Sequence, residues 1–289
     1  MAQTAIEWTA TRLADGTVLP GYTFNGWEGC QKVGPGCDNC YAEARNIRFT
    51  GGINWGPHAP RRRTSAANWR KPIKWNAEAA RSGIRRNVFC SSLADVMDNH
   101  ASILSAWRAD LAALILATPH LNWLLLTKRI GNAEKYLHEM FPAGVPSNVW
   151  LGITVVTQAE ADKDGPKLAK IKAAFGISVT FFSMEPLLEA VTINPICMPD
   201  WVIVGGESGH NARPMHPNWP RSIRDQCVAA GMAFFFKQWG EFAVDEIGPE
   251  DARSTLSPPG HVEYLKIGKK AAGRKLDGRT WDQMPGAAA

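Results

Sequence analysis

The sequence feature that most constrains the fold is a series of short apolar runs separated by stretches with helical periodicity. These runs are Asn87–Cys90, Trp123–Leu126, Val149–Ile153, Val179–Phe182, Trp201–Val204 and Ala233–Phe236. Continuous apolar runs of this length are typical of strands buried on both faces of a parallel sheet. An earlier run, Tyr22–Trp27, predicts a first strand.

The stretches between the runs predict crossover helices at about 100–118, 131–141, 158–174 and 218–230. Asn132 and Asn218 are acceptable N-caps for the second and the fourth of these helices. The proline-rich link from Glu185 to Trp201 predicts no helix. Alternation of strands and helices at this spacing indicates right-handed βαβ units, and we therefore expect a partial (β/α) TIM-type barrel of six to seven parallel strands.

Polar residues or glycines follow the apolar runs, at the point where each strand ends. They are Ser91, Ser92 and Asp95; Thr127, Lys128 and Arg129; Thr154; Ser183 and Glu185; Gly205, Gly206 and Glu207; Lys237 and Gln238. Active sites of α/β barrels are built from the carboxyl ends of the strands and the loops that follow them. The pattern therefore predicts an enzyme with its site at this face. Structural capping could account for some of these residues, but it is the weaker explanation for six strand ends in succession.

The domain organisation follows from where this pattern stops. Residues 1–240 are expected to form the barrel domain, and residues 241–289 an irregular C-terminal tail packed on it, because glycine, proline and charge rise and periodicity fades. No apolar run approaches the ~20 residues that cross a bilayer. The first residues resemble no signal peptide, so a cytoplasmic location and no membrane partner are expected.

Charge is mildly positive, with a formal net charge of +5. Much of the excess falls in segment 55–86, where arginines and lysines alternate with Trp55, Trp69 and Trp75. Basic residues interleaved with aromatic rings suit a nucleic-acid partner, through its phosphates and by stacking on its bases. A solvated loop whose tryptophans pack onto the barrel explains the same segment equally well.

Three of the six cysteines, Cys30, Cys37 and Cys40, lie within eleven residues around a Gly-Pro-Gly turn. The other three are scattered in apolar contexts, as small buried side chains usually are. Neighbouring thiolates repel one another, so the cluster of three indicates a bound metal. Structural zinc takes four protein ligands, and His58 or a more distant residue would have to supply the fourth. An iron–sulfur cluster held by three cysteines instead leaves one iron open to a small molecule.

The cysteine segment Gly29–Glu43 is similar to the signature of a phage- and prophage-associated three-Cys-motif family of uncharacterised proteins. Four later segments, Phe182–Leu187, Val204–Met215, Phe235–Gly240 and Leu276–Arg279, are also similar to that family. The resemblance spans nearly the whole chain. It implies a radical S-adenosyl-L-methionine-like enzyme on a partial α/β barrel, with a cluster loop at 29–43. One departure is the six-residue gap between Cys30 and Cys37, where three residues are usual.

The resemblance also implies roles for individual residues. Cys30, Cys37 and Cys40 would bind three irons of a 4Fe-4S cluster, and S-adenosylmethionine the fourth. Candidate cofactor-binding residues are Ser91, Ser92, Asp95, Lys128, Arg129, Gly205, Gly206 and Glu207. Glu185 and Lys237 are candidate catalytic residues for substrate contact or proton transfer; an ion pair at the barrel mouth is the competing explanation for each charge.

The implied reaction needs partners. A reduced carrier such as a flavodoxin or ferredoxin would supply the electron. Phage association and segment 55–86 together favour a nucleic-acid substrate, in modification or lesion repair. Two other hypotheses remain open: a zinc-stabilised nucleic-acid-binding protein without catalysis, and a metal-dependent hydrolase with Asp95, Glu185, Glu207 and His210 as ligands.

Overall fold

A computed structural model of the chain describes residues 3–246 and 262–286. Its centre is a sheet of seven parallel strands: β1 Tyr22–Phe24, β2 Arg86–Cys90, β3 Leu121–Thr127, β4 Val149–Thr154, β5 Val179–Met184, β6 Trp201–Gly205 and β7 Ala233–Gln238. The strands lie side by side in the same order as in the chain. The sheet curls into a half-barrel, which confirms the predicted partial α/β barrel.

The helices are α1 Tyr41–Thr50, α2 Ala66–Trp69, α3 Lys71–Ser82, α4 Ser105–Leu116, α5 Ala133–Met140, α6 Gln158–Phe175, α7 Asn218–Ala230 and the short α8 Lys269–Ala272. Helices α3 to α7 lie between successive strands in the chain and pack on the sheet, whereas α1 and α8 lie at the cavity. Short 3-10 turns occur at Glu7–Thr9, Pro35–Cys37, Ile130–Asn132 and Pro195–Cys197. The last of these is the one helical turn described in the proline-rich link before β6.

The structure corrects three local predictions. The first strand ends at Phe24, because the Asn25 side chain turns away to bond Ser92 and the backbone of Leu93. Asn218 is the first residue of α7 and Pro217 occupies its N-cap position. Asn132 does precede α5, but its side chain donates to the Met97 carbonyl and makes no capping hydrogen bond.

Short antiparallel pairs surround the main sheet. Thr11–Arg12 pairs with Val18–Leu19, Trp27–Glu28 with Arg62–Arg63, and Phe242–Glu246 with Val262–Lys266. The last pair belongs to the predicted tail, of which 247–261 and 287–289 lie outside the described residues. Further along, the Trp281 carbonyl accepts from the Phe236 amide at 2.9 Å, so this part of the chain covers the β7 edge.

Alternate residues of the strands point to the two faces of the sheet and build two apolar layers. The outer layer packs under the helices and includes the buried Cys90 and Cys227. The inner layer is a cluster of Trp8, Phe89, Leu124, Phe181, Trp201, Ile203 and Phe235. We call this inner cluster the floor of the half-barrel.

Trp8 is the centre of the floor, although it lies before the first strand. Its ring lies 4.7 Å from that of Phe89 and 6.3 Å from that of Trp201, measured between centroids. The 3-10 turn that carries it contacts both β2 and β7. Gly152 on β4 leaves room for another floor residue, Phe181, since a Cβ there would lie 2.3 Å from its ring. The segment ahead of β1 therefore fills the interior that the curled sheet leaves open.

No helix within 3–246 or 262–286 is long and apolar enough to cross a membrane.

Candidate functional site

A cavity of about 560 Å³ opens above the floor, at the carboxyl ends of the strands. Most of the residues predicted from the sequence line it: Cys30, Cys37, Cys40, Ser91, Ser92, Asp95, Lys128, Arg129, Glu185, Gly206, Glu207 and Lys237. Gly205 lies just behind the wall, where a Cβ would come within 2.8 Å of the Glu185 carboxylate. Parallel strands end at one edge of a sheet, which brings residues far apart in sequence to this mouth.

The three cysteines reach the cavity from the loop that follows β1. Cys37 ends a 3-10 turn, and Cys40 is the N-cap residue of α1. Burial raises the pKa of the Cys40 thiol, although backbone amides of Glu43 and Ala42 act against it. Burial, with the nearby Asp95, raises the pKa of Cys30 to about 11 despite the opposing charge of Arg129. Both thiols therefore require a bound cation to become thiolates at neutral pH.

The choice between one metal ion and a cluster stays a prediction, although the placement of the ligands bears on it. Among residues 3–246 and 262–286, no three or more His, Cys, Asp or Glu side chains are grouped to hold a single metal ion. A zinc site needs such a group, and so does the hydrolase set of Asp95, Glu185, Glu207 and His210. Cysteines of an iron–sulfur cluster bind separate irons, so thiols spread around one cavity fit that donor set.

Arg129 holds Cys30 in place from the β3 side. Its Nη1 lies 3.5 Å from the Cys30 Sγ and 2.8 Å from Asp95 Oδ2, and its Nη2 donates to the Gln31 carbonyl at 3.1 Å. Asp95 also accepts from the Thr127 hydroxyl at 2.7 Å. Charge-assisted hydrogen bonds of this kind fix a side chain in one geometry.

Behind Arg129 the charges do not cancel. Asp98 forms an ion pair of 2.7 Å with Arg61, and both side chains are fully buried. Arg108, also buried, donates to the Asp98 carbonyl. The three arginines exceed the two aspartates, Asp95 and Asp98, by one positive charge. Unbalanced buried charge is costly. At Cys30 itself, however, burial and Asp95 outweigh Arg129 and disfavour a thiolate without a bound cation.

A second ion pair ties the cysteine loop to the end of β6. Arg213 donates from Nε to Glu207 Oε2 at 2.9 Å and from Nη2 to Oε1 at 2.7 Å. Asn39 donates to Glu207 Oε2 at 3.0 Å, and Arg213 also bonds Asp38 and the Pro35 carbonyl. We call this arrangement the Glu207–Arg213 clamp. Burial raises the pKa of Glu207, but the hydrogen bonds from Arg213 and Asn39 outweigh it and lower the pKa below its usual value.

The cofactor-binding role of Gly205, Gly206 and Glu207 stays a prediction. The clamp already occupies one of these residues, Glu207. Both carboxylate oxygens of Glu207 are engaged by the protein. The need for glycine at 206 has its own explanation, since a Cβ there would lie 1.9 Å from the Trp239 carbonyl. The ends of β6 and β7 thus approach too closely for any side chain at that position.

The remaining predicted residues lie on the other walls. Lys237 Nζ is 2.9 Å from Glu185 Oε1, so the two candidate catalytic residues form an ion pair. The Ser92 hydroxyl accepts from Asn25, and its carbonyl accepts from the Tyr41 hydroxyl at 2.6 Å. In the described part of the chain, Lys128 makes no ion pair or hydrogen bond through its ammonium group.

Several lining residues were missed from the sequence, namely Glu7, Trp8, Asn39, Tyr41 and Lys269. Arg213 of the clamp was missed as well. Asn39 and Tyr41 flank Cys40, and that position was the available signal. Arg213 lies within the quoted segment Val204–Met215, which gave no indication of its partner. Glu7 and Trp8 precede the first strand in a segment without periodicity, so nothing in the sequence pointed to them.

Segment 55–86 does not present one basic face. Arg61 is buried against Asp98, and Arg63 pairs with Asp110 at 2.6 Å. Trp75 stacks on Tyr22 with centroids 4.4 Å apart, and Trp69 packs edge-on against Phe24. Arg86 begins β2 and therefore lies at the end of the sheet away from the cavity. Trp69 and Trp75 therefore pack on the barrel, whereas Trp55 lines the cavity. A nucleic-acid partner bound through this segment stays a prediction.

The fold and the cavity together define the class, a partial α/β barrel with three cysteines at its polar mouth. The chain matches the family described as "Protein of unknown function (DUF5131)" over residues 3–285, and it belongs to that family. Neither a curated protein nor a solved structure gives a significant match to the chain.

Proposed function

We propose that this protein is a radical S-adenosylmethionine enzyme that carries a 4Fe-4S cluster on Cys30, Cys37 and Cys40. The observation that carries the proposal is the position of these three thiols. They come from the loop after the first strand and face one cavity at the carboxyl ends of a curled parallel sheet. Active sites of α/β barrels lie at this face.

Cys30, Cys37 and Cys40 would hold the cluster, which would supply the one-electron reduction that radical chemistry with S-adenosylmethionine requires. The protein orients the reactants and excludes water. Lys128 offers an ammonium group in the cavity wall without an anionic partner among the described residues, and it would pair with the cofactor carboxylate.

Two further groups in the cavity suit the substrate. Glu185 and Lys237 form an ion pair on the wall built by β5 and β7. A bound substrate that separates them can accept a proton from Lys237 or give one to Glu185. The apolar floor below them closes the cavity from beneath, which keeps water away from a reactive intermediate.

Anaerobic purification followed by visible spectroscopy and iron, sulfide and zinc analysis tests the cluster. We expect a brown protein whose colour is bleached by dithionite, and parallel loss of iron in Cys30→Ala, Cys37→Ala and Cys40→Ala. Cys197→Ala is the matched control, because Cys197 is a free, buried cysteine in the link before β6. A colourless protein with stoichiometric zinc would contradict the proposal.

Formation of 5′-deoxyadenosine tests the second half of the proposal. The reconstituted protein is incubated with S-adenosylmethionine and dithionite, and the product is measured by chromatography. We expect product from the wild type and at least about tenfold less from Lys128→Ala at low cofactor concentration, with recovery at high concentration. A protein that carries a full cluster but forms no 5′-deoxyadenosine would be an iron–sulfur protein that does not cleave S-adenosylmethionine.

We propose a nucleic acid as the substrate, on the basis of the charge at the cavity rim. Lys269 is exposed there and has no anionic partner among residues 3–246 and 262–286. Phosphates that approach the rim would release counterions, so affinity should fall steeply with salt.

Anisotropy of a labelled single-stranded oligonucleotide, measured over a range of salt, tests this part. Lys269→Gln should weaken binding and reduce the slope of log affinity against log salt by about 1. Lys170→Gln is the control, since Lys170 is a 70% exposed lysine on α6, away from the cavity rim. Affinity independent of salt would exclude the nucleic acid.

A further inference from the structure

The segment that contains α1 is fastened at both ends to the cysteine site. It begins at Cys40, the N-cap residue of the helix. It then returns to Cys30, which forms a β-bridge with Trp55 and accepts from the Gly56 amide at 2.9 Å. Residues 41–56 therefore form a cap over the cysteines, with one face toward the site and one toward solvent.

The solvent face of this cap is unusually apolar. Ile47 is 55% exposed, Phe49 66% and Ile53 65%. At 3.6 residues per turn, Ile47 and Phe49 lie on either side of the outer ridge of α1, on which Arg48 projects. Single exposed apolar residues are ordinary, but a group of them on one short segment marks an interaction surface. We call Ile47, Arg48, Phe49 and Ile53 the α1 surface.

The charges around the α1 surface are positive. Arg48 has no anionic partner in the part of the chain that the structure describes, and its guanidinium lies 5.4 Å from the centre of the Phe49 ring. Glu43 is 3.6 Å from Lys32, and Glu28 is shared by Arg62 and Arg45. The nearby acids are thus already paired, so electrostatic complementarity requires an acidic partner.

The aliphatic residues decide between two acidic partners, a protein and a nucleic acid. A nucleic acid would stack a base on Phe49, but the guanidinium groups of Arg45 and Arg48 already lie over that ring. Ile47 and Ile53 offer a nucleotide neither a hydrogen bond nor a stacking plane. Apolar side chains surrounded by charge are instead typical of small protein interfaces.

We propose that the α1 surface is the docking site of an acidic one-electron carrier protein. The inference rests on the proposed function, which requires such a reductant. The carrier loses one electron from its reduced flavin or iron–sulfur centre, and the group bound by Cys30 and Cys40 gains it. A surface of a few residues suits this partner, because transient redox complexes bury little area.

Stopped-flow reduction of the reconstituted protein tests the docking site. Dithionite needs no docking, so it serves as the internal control for each variant. With reduced flavodoxin and reduced ferredoxin as separate probes, we expect Arg48→Glu and Phe49→Asp to slow the bimolecular reduction at least about tenfold, more so at low salt. Reduction by dithionite should be unchanged.

Two matched controls keep the comparison specific. Arg81→Glu makes the same charge change on an exposed residue of α3, and Ile196→Asp places a charge at an 87% exposed isoleucine of the link before β6. Both should be reduced by the carriers at the wild-type rate. Circular dichroism and iron content verify that each variant is folded and loaded.

The outcomes separate the two proposals. Absence of any cluster in the wild type would overturn the proposed function. A cluster that dithionite reduces, but that the carriers reduce equally fast in wild type and variants, would overturn the docking site alone, as would a wild type that neither carrier reduces. Loss of oligonucleotide binding in Arg48→Glu with unchanged carrier kinetics would show that a nucleic acid occupies the surface.

Discussion

The floor and the mouth of the half-barrel are built from the same strands, yet they share almost no chemistry. β5 contributes Phe181 to the floor and ends at Ser183 and Glu185 in the mouth. β6 likewise contributes Trp201 to the floor and is followed by Glu207 in the mouth. Four to six positions along one strand and its following loop therefore separate Phe181 from Glu185 and Trp201 from Glu207, that is, an apolar layer from a charged one.

The difference shows how the fold separates stability from chemistry. Floor residues are removed from water and pack against several strands at once, so their truncation leaves a cavity. Most charges of the mouth are instead paired beside a cavity that solvent reaches, where an ion pair contributes little to folding. The residue at the end of a strand can therefore change while the packing of that strand in the floor is kept. Three substitutions test this difference between the floor and the mouth.

The largest effect is expected in the floor. Trp8→Ala removes an indole that is 2% exposed and packs against Phe89, Phe181 and Trp201. We expect the free energy of unfolding to fall by about 3–5 kcal/mol, measured by urea denaturation. Ile196→Ala, at an 87% exposed side chain, should change it by less than about 0.5 kcal/mol. Equal losses of unfolding free energy in the two variants would show that the floor does not stabilise the fold.

An intermediate effect is expected at the Glu207–Arg213 clamp, the part of the mouth that holds the cysteine loop. Glu207→Gln keeps the shape but removes the charge that accepts from Arg213 and Asn39. We expect a loss of about 1–2 kcal/mol at pH 7.

The effect of Glu207→Gln should depend on pH in a defined direction. The pKa of Glu207 is lower in the folded protein than in the unfolded chain, so the clamp stabilises the fold above about pH 5. That contribution is lost as pH falls through the folded pKa, because the unfolded chain binds the proton first. Denaturation curves of wild type and variant should therefore converge in acid. A difference that grows below pH 4 would contradict this account.

The smallest effect on stability is expected for Lys237→Gln. Its partner Glu185 lines the cavity, from which water can reach the carboxylate once the Lys237 side chain no longer covers it. The free energy of unfolding should change by less than about 1 kcal/mol, whereas turnover of substrate should fall at least about tenfold. A loss of stability like that of Trp8→Ala would show that the mouth is structural as well.

Much of the sheet could be predicted because its strands are apolar on both faces. Val179–Phe182 and Trp201–Val204 lie within strands that extend one or two residues further. The first extra residue is Ser183 in one strand and Gly205 in the other, so a hydrophobicity pattern stops before the hydrogen bonds do. The site residues were predicted for the same reason, since the end of an apolar run marks the end of a strand.

What could not be predicted depends on long-range contacts. Arg213 and Asn39 meet at Glu207 because the cysteine loop crosses to β6, and nothing local records that crossing. Trp8 has no periodic neighbours to show that it enters the barrel. Segment 55–86 combines arginine with tryptophan, but only the fold shows that Arg61 is buried against Asp98. The composition of a segment does not show which residues it contacts in the fold, and those contacts determine its role.

The position of Trp8 also sets an order of events during synthesis. The strands are neighbours in space in the order in which the ribosome delivers them, so each can pair with its predecessor as it emerges. Trp8 is made before all of them, yet its ring needs Trp201 on the sixth strand. The indole of Trp8 therefore stays exposed until most of the chain has been translated, and a chaperone could bind it during that time.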